Sequence, residues 1–160
     1  MFDLAPHPDL PKPQQYAELA RSAASLVTGE KDAVANMANI AALIWLSVPT
    51  LNWAGFYRVI DKELVLGPFI GKPACIRIPF GQGVCGTAAA TGVTQLVPDV
   101  HAFPGHIACD AASRSELVVP VMVGGMVRAV IDLDSPRPDR FSQEDAEGLE
   151  ALARIVAEFL

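Results

Sequence analysis

Apolar residues in the first third of the chain recur at spacings of three and four. Between Lys12 and Val27, the positions Tyr16, Leu19, Ala20, Ala23, Leu26 and Val27 predict one helix, with Gly29 as its stop. A second helix is expected from Lys31 to Leu46. Val34, Met37, Ala38, Ala41, Ile44 and Trp45 form its main stripe, and further apolar residues around them predict burial over most of its circumference. Pro49 closes it.

The pattern then changes to strands. Trp53 to Ile60 and Leu64 to Leu66 flank Asp61-Lys62-Glu63, which reads as a hairpin. Cys75 to Ile78 alternates as a short strand until Pro79-Phe80-Gly81-Gln82-Gly83 breaks it, and Val84 to Ala90 reads as a short helix. Val93 to Val97 follows as a strand, then a loop from Pro98 to about Ser115. Two valine-rich runs between Leu117 and Leu133 meet at Gly124-Gly125, a pair that tolerates positive φ. Ser142, with Asp145 three residues on, caps a last helix through Leu149, Leu152, Ala153, Val156 and Leu160. Antiparallel hairpins with helices segregated to the ends predict an α+β domain. No repeat or linker divides residues 1–160, and residues 1–13 form a proline-rich start.

Composition narrows the function classes. Of 160 residues, 51% are hydrophobic and 19% charged, which excludes intrinsic disorder. Twelve basic against eighteen acidic residues leave a net charge of −6. That balance argues against nucleic acid, whose phosphates need clustered positive charge. The uncharged stretch from Ala33 to Tyr57 is long enough to span a bilayer, but Asn36, Asn39, Asn52 and Pro49 interrupt it. The start lacks the basic and apolar regions of a signal peptide, so a soluble, cytoplasmic protein is expected.

Three cysteines, Cys75, Cys85 and Cys109, make a disulfide framework improbable in such a setting, and their gaps match no zinc pattern. They read either as small buried hydrophobes or as reactive thiols. Cys85 opens the predicted alanine-rich helix after Gly81-Gln82-Gly83, where the helix dipole would favour thiolate. Cys109 lies in the long loop, three residues after His106 and next to Asp110. A metal held by His101, His106 and Cys109 finds no support in their spacing. Asp132 and Asp134 share one strand face, and Glu116 opens another apolar strand; each reads as a solvated strand end or as a ligand contact. Trp53 and Tyr57 share a face too, as core or as an aromatic box for a small methyl-bearing or cationic ligand.

Three long strings resemble the free methionine-(R)-sulfoxide reductases: Asn52-Trp53-Ala54-Gly55-Phe56-Tyr57, the run Cys75 to Thr87, and the run Asp99 to Ser113. The likeness continues through Ser115-Glu116 and Ile131-Asp132-Leu133-Asp134-Ser135 to Phe141. It implies a GAF fold, with a central antiparallel sheet, helices on one side and a loop-covered pocket on the other. It also implies reduction of the free sulfoxide to methionine by thiol chemistry, through a sulfenic acid and an intramolecular disulfide recycled by thioredoxin. No bound cofactor and no metal are implied, and a homodimer is compatible with it. By the resemblance Cys109 is the nucleophile, Cys75 resolves it, and Cys85 is an auxiliary or alternative thiol. Glu116, Asp132 and Asp134 would hold the substrate's ammonium group or protonate its oxygen, and Trp53, with Tyr57 nearby, would pack the S-methyl group. The dipole argument instead favours Cys85 as the activated thiol. Two rival functions are a non-catalytic GAF sensor and a Cys109–His106 hydrolase; the latter lacks a visible oxyanion hole.

Overall fold

The computed structural model describes residues 9–105 and 110–160. The first helix, α1 (Lys12–Val27), follows Pro11 and tolerates Pro13 in its first turn, where no intrahelical hydrogen bond is lost. Helix α2 (Ala33–Ser47) starts at Asp32, whose carboxylate accepts the Ala35 N–H at 2.8 Å. Then come β1 (Trp53–Ile60), β2 (Glu63–Gly71), β3 (Arg77–Pro79), α3 (Gly83–Thr91), β4 (Gln95–Val97), a single 3-10 turn at Val100–Ala102, β5 (Ser115–Val123), β6 (Met126–Ser135) and α4 (Gln143–Ala157). Ser142 and Asp145 form the expected capping box at the start of α4.

All six strands join one antiparallel sheet in the order β3-β2-β1-β6-β5-β4. Both long hairpins close as anticipated. Asp61 and Lys62 turn the first with positive φ at both residues, and Gly124 and Gly125 turn the second likewise.

The side-chain alternation of these strands splits the interior in two. Ala54, Phe56, Leu117, Val119, Ile131 and Leu133 point to one face, where α1, α2 and α4 bury them. Trp53, Tyr57, Val118 and Val130 point to the other, where α3 and its flanking loops pack. The second face carries the site.

Three differences from the sequence reading have physical reasons. Strand β2 runs through Gly67-Pro68, which look like a break, because these two residues bulge opposite Phe56 alone, and a bulge needs no N–H from proline. The strand expected at Cys75–Ile78 is instead Arg77–Pro79, paired only with the start of β2; Cys75 lies in the loop before it. Helix α2 buries Met37, Ile40, Ala41, Leu43 and Ile44 but exposes Val34, Ala38 and Trp45. A helix apolar all round does not reveal which face meets the sheet, and only one face has a sheet to meet. Among the described residues, no helix is long and apolar enough to cross a membrane.

Candidate active site

Three strands carry the site where β1 and β5 begin and β6 ends. In the sheet, Trp53 lies opposite Asp134, and Asp134 lies opposite Glu116, so an aromatic ring and two carboxyl groups form a row across three strands. One pleat along, Asp132 is flanked by Gly55 and Val118. Residues two apart share a face, so Asp132 and Asp134 point the same way as Trp53 and Tyr57.

Gly55 shapes the aromatic wall. Phe69 faces it across the β1–β2 ladder, and a β-carbon on Gly55 would lie 2.7 Å from Phe69 Cα and 2.8 Å from the Pro68 carbonyl. The space left open lets Phe69 stack on Trp53, with ring centroids 5.2 Å apart, while Tyr57 stacks on the same indole at 5.9 Å. Trp53 Nε1 donates to the Lys72 carbonyl at 3.2 Å, and the Tyr57 hydroxyl donates to the Cys75 carbonyl at 3.1 Å. These two bonds tie the loop between β2 and β3 to the wall.

Three segments cover the row. The loop carrying Pro73 and Ala74, the start of α3 from Gln82 to Cys85, and the segment from Asp110 to Ser113 enclose a cavity of about 520 Å³, its open mouth included. Asn52 holds the third segment in place: its Nδ2 donates to Asp110 Oδ2 at 3.1 Å and to Ser113 Oγ at 3.0 Å. Lys72 reaches Asp110 at 3.3 Å from the rim. Phe69, Asn52 and Ser113 are contributors that strand patterning does not single out as site residues; their roles come from register and from contacts across the fold.

The described residues lining the cavity include four acids and no base. Glu116 and Asp132 are buried, at 7% and 5% exposure, so neither is a solvated strand end. Burial, and then repulsion from Asp132 and Asp134, pushes the Glu116 carboxyl well above the usual range. Burial pushes Asp132 up to about 7, although hydrogen bonds from Cys85 and Glu116 pull the other way. Asp134 is raised by burial and by Asp132, against a hydrogen bond with Ser113. Asp110 goes down instead, chiefly because the Ala112 N–H bonds its carboxylate. A pocket of this kind holds protons at neutral pH and favours a cation.

The cysteines separate. Cys85 is the third residue of α3, as close to a helix N-terminus as expected, but the thiol is buried and not activated. Burial, then the nearby Asp132 and Glu116, push its pKa well above the thiol range, outweighing a dipole effect of at most ~2 kcal/mol. Its Sγ lies 3.9 Å from Glu116 Oε1. Cys75 is partly buried and disulfide-bonded, whereas Cys85 is a free thiol. Cys109 and His106 lie outside the described residues. Asp99 caps the 3-10 turn by accepting the His101 N–H at 3.1 Å, away from the cavity lining.

A GAF domain model matches residues 35–160. The chain is 50% identical to free methionine-R-sulfoxide reductase of Escherichia coli over 88% of its own length and 86% of that protein. It is 45% identical to the Saccharomyces cerevisiae enzyme of the same name, over 92% and 87%. A structure of free methionine-R-sulfoxide reductase from Neisseria meningitidis in complex with its substrate superposes with a TM-score of 0.89 at 46% identity, covering 93% of this chain and 90% of that one. The chain therefore belongs to the GAF domain family and, within it, to the free methionine-R-sulfoxide reductases.

Proposed function

We propose that this chain reduces free L-methionine-(R)-sulfoxide to L-methionine. The observation that carries the reading is the row of Trp53, Asp134 and Glu116 across one end of a cavity with acids and no base among its described lining. The substrate joins a methyl-bearing sulfoxide to an ammonium group, and the row supplies an indole for one and carboxylates for the other.

In the proposed reaction the Cys109 thiolate attacks the sulfoxide sulfur. A protonated acid of the Glu116–Asp132–Asp134 group donates to the departing oxygen, as the raised pKa of each permits at neutral pH. The substrate S–O bond and the transient Cys109–methionine sulfur bond both break as the protonated oxygen passes to the Cys109 sulfur, so methionine leaves and Cys109 is left as a sulfenic acid carrying that oxygen. The Cys75 thiol then displaces that oxygen as water and forms a disulfide, and thioredoxin reduces the disulfide by exchange. The disulfide-bonded state of Cys75 and the free state of Cys85 support this division of roles. Cys85, with its raised pKa, is an auxiliary thiol at most. The cycle needs no bound cofactor, and the cytoplasm, where thioredoxin works, is its natural setting.

The test is NADPH consumption with thioredoxin, thioredoxin reductase and the free (R)-sulfoxide, run alongside intact-mass analysis. Cys109→Ser should abolish turnover and the sulfenic acid. Cys75→Ser should release about one methionine per chain and then stop, the stoichiometry of one sulfenic acid without a resolving thiol. A protein silent with the sulfoxide that still binds it would be a sensor rather than an enzyme.

A further inference from the structure

Cys85 is a buried free thiol that the proposed cycle does not require, yet it faces two of the site's acids. One ligand atom from each of Cys85, Glu116 and Asp132 lies within 4.8 Å of the other two, and all three residues are buried. A zinc ion bonded to sulfur at about 2.3 Å and to carboxylate oxygen at about 2.0–2.2 Å, with tetrahedral angles, separates these donors by roughly 3.5 Å. The Sγ–Oε1 distance of 3.9 Å between Cys85 and Glu116 is a few tenths of an ångström from that value.

A second observation points to a ligand. Asp132 is 95% buried and lines the cavity, but its Oδ1 atom has no hydrogen-bond partner among the described residues. A buried carboxylate oxygen left bare is costly unless something is meant to meet it. Substrate ammonium is one candidate, and a cation is another.

We propose that Cys85, Glu116 and Asp132 form a site for a thiophilic divalent cation of the zinc type, which excludes the substrate. The thiol decides the metal class: magnesium and calcium prefer oxygen donors alone, whereas zinc accepts sulfur and carboxylate together. On binding, Cys85 gives up its proton to solvent and forms the metal–sulfur bond, and the two carboxylates bind deprotonated. A water fills the fourth position, which the open mouth of the cavity supplies. No electron is transferred. The exclusion of substrate rests on the reading above, in which Glu116 and Asp132 hold the substrate ammonium. The metal site itself does not.

The test uses the full chain with Cys75→Ser and Cys109→Ser, so that Cys85 is its single thiol, and cobalt(II) as the probe. We expect one cobalt per chain, a thiolate-to-cobalt charge-transfer band, and displacement by zinc. Absence of the band, or its survival when Cys85→Ser is added, overturns the site. Should the added Cys85→Ser variant fail to fold, Asp132→Asn decides: half-saturation by cobalt should rise roughly tenfold or more, and an unchanged value overturns the site. Free methionine-(R)-sulfoxide should then bleach the band, while the (S) epimer, which chelates cobalt in solution equally well, should not. If cobalt binds as described and neither epimer displaces it, the metal site stands, and what falls is the assignment of these acids to the substrate ammonium.

Discussion

Glu116 on β5 and Asp134 on β6 are direct cross-strand partners, two acids side by side on a face that otherwise buries Trp53, Tyr57, Val118 and Val130. Like charges directly opposite each other in a sheet destabilise it, and burial raises the cost. The fold tolerates the pair by keeping protons on it, as the raised pKa values of both groups indicate. This conflict between stability and placement supports the role proposed for the pair in binding substrate.

Removing one of these acids should therefore separate activity from stability. Glu116→Gln keeps the shape, relieves the cost of holding a buried carboxyl protonated at neutral pH, and offers an amide donor near the bare Oδ1 of Asp132. Catalytic efficiency on the free sulfoxide should fall by roughly one to two decades, corresponding to about 1.5–3 kcal/mol for a charge-assisted hydrogen bond. Thermal stability without substrate should rise, at about 2–4 °C per kcal/mol relieved. Kinetics and a thermal melt on the same preparation check both halves. Lower stability together with unchanged kinetics would make Glu116 a structural residue.

The same group gives a pH dependence of known sign. Glu116, Asp132 and Asp134 all have folded-state pKa values above the unfolded value of about 4. The folded state then binds more protons than the unfolded one, so unfolding free energy falls as pH rises. The stabilising contribution is complete below about pH 4 and is lost as pH climbs through the folded values, which for Asp132 means about 7. Each excess proton contributes a slope of at most about 1.4 kcal/mol per pH unit. Urea unfolding between pH 5 and pH 8 should show the decline, and Asp132→Asn should flatten it. An equal slope in that variant would place the titration elsewhere.

Much of this molecule is legible in its amino-acid sequence. The two hairpins, the capping box of Ser142 and Asp145, and the shared face of Asp132 and Asp134 follow from local rules, and each appears as expected. What local rules miss is set by distant partners. The bulge at Gly67-Pro68 depends on what lies opposite it in β1. The exposed side of α2 depends on where the sheet is. The inert state of Cys85 is the sharpest case: its place on α3 predicts activation, but Asp132 and Glu116, which arrive from β6 and β5, reverse it. Asn52 stands in one of the strings that carry the family resemblance, but its grip on Asp110 and Ser113 joins residues about sixty positions apart.

Gly55 offers a test of the aromatic wall. A methyl group there meets the Phe69 backbone and the Pro68 carbonyl below van der Waals distance, so β2 must shift. Overpacking of this kind costs about 1–3 kcal/mol. Gly55→Ala should lower the melting temperature by about 2–12 °C and raise KM for the free sulfoxide, because Phe69 moves off the indole that forms one wall of the cavity. Phe69→Leu removes the stacking without the backbone clash and should raise KM with a smaller loss of stability. If Gly55→Ala melts normally, the β1–β2 contact is looser than these distances indicate.

The substrate's nitrogen provides the last test, since it distinguishes a pocket for the free amino acid from one for oxidised protein. A cavity lined by Glu116, Asp132, Asp134 and Asp110, with no base among its described lining, is matched to a positive group. Acetylating the nitrogen removes the charge and adds bulk against the acids, as a peptide bond would. The acids then stay buried without a cation, and the penalty of an unpaired buried group makes discrimination large, reaching 10⁴–10⁵ where a site is built to bind the missing group. Free methionine-(R)-sulfoxide should therefore be reduced efficiently, and N-acetylmethionine-(R)-sulfoxide should react at least a hundredfold more slowly in kcat/KM, about 2.7 kcal/mol or more. Glu116→Gln and Asp132→Asn should narrow that gap by slowing the free substrate far more than the acetylated one. Equal rates on the two substrates in the unmodified protein would mean that the ammonium group is not read, and the acids of β5 and β6 would then serve the sulfoxide oxygen alone.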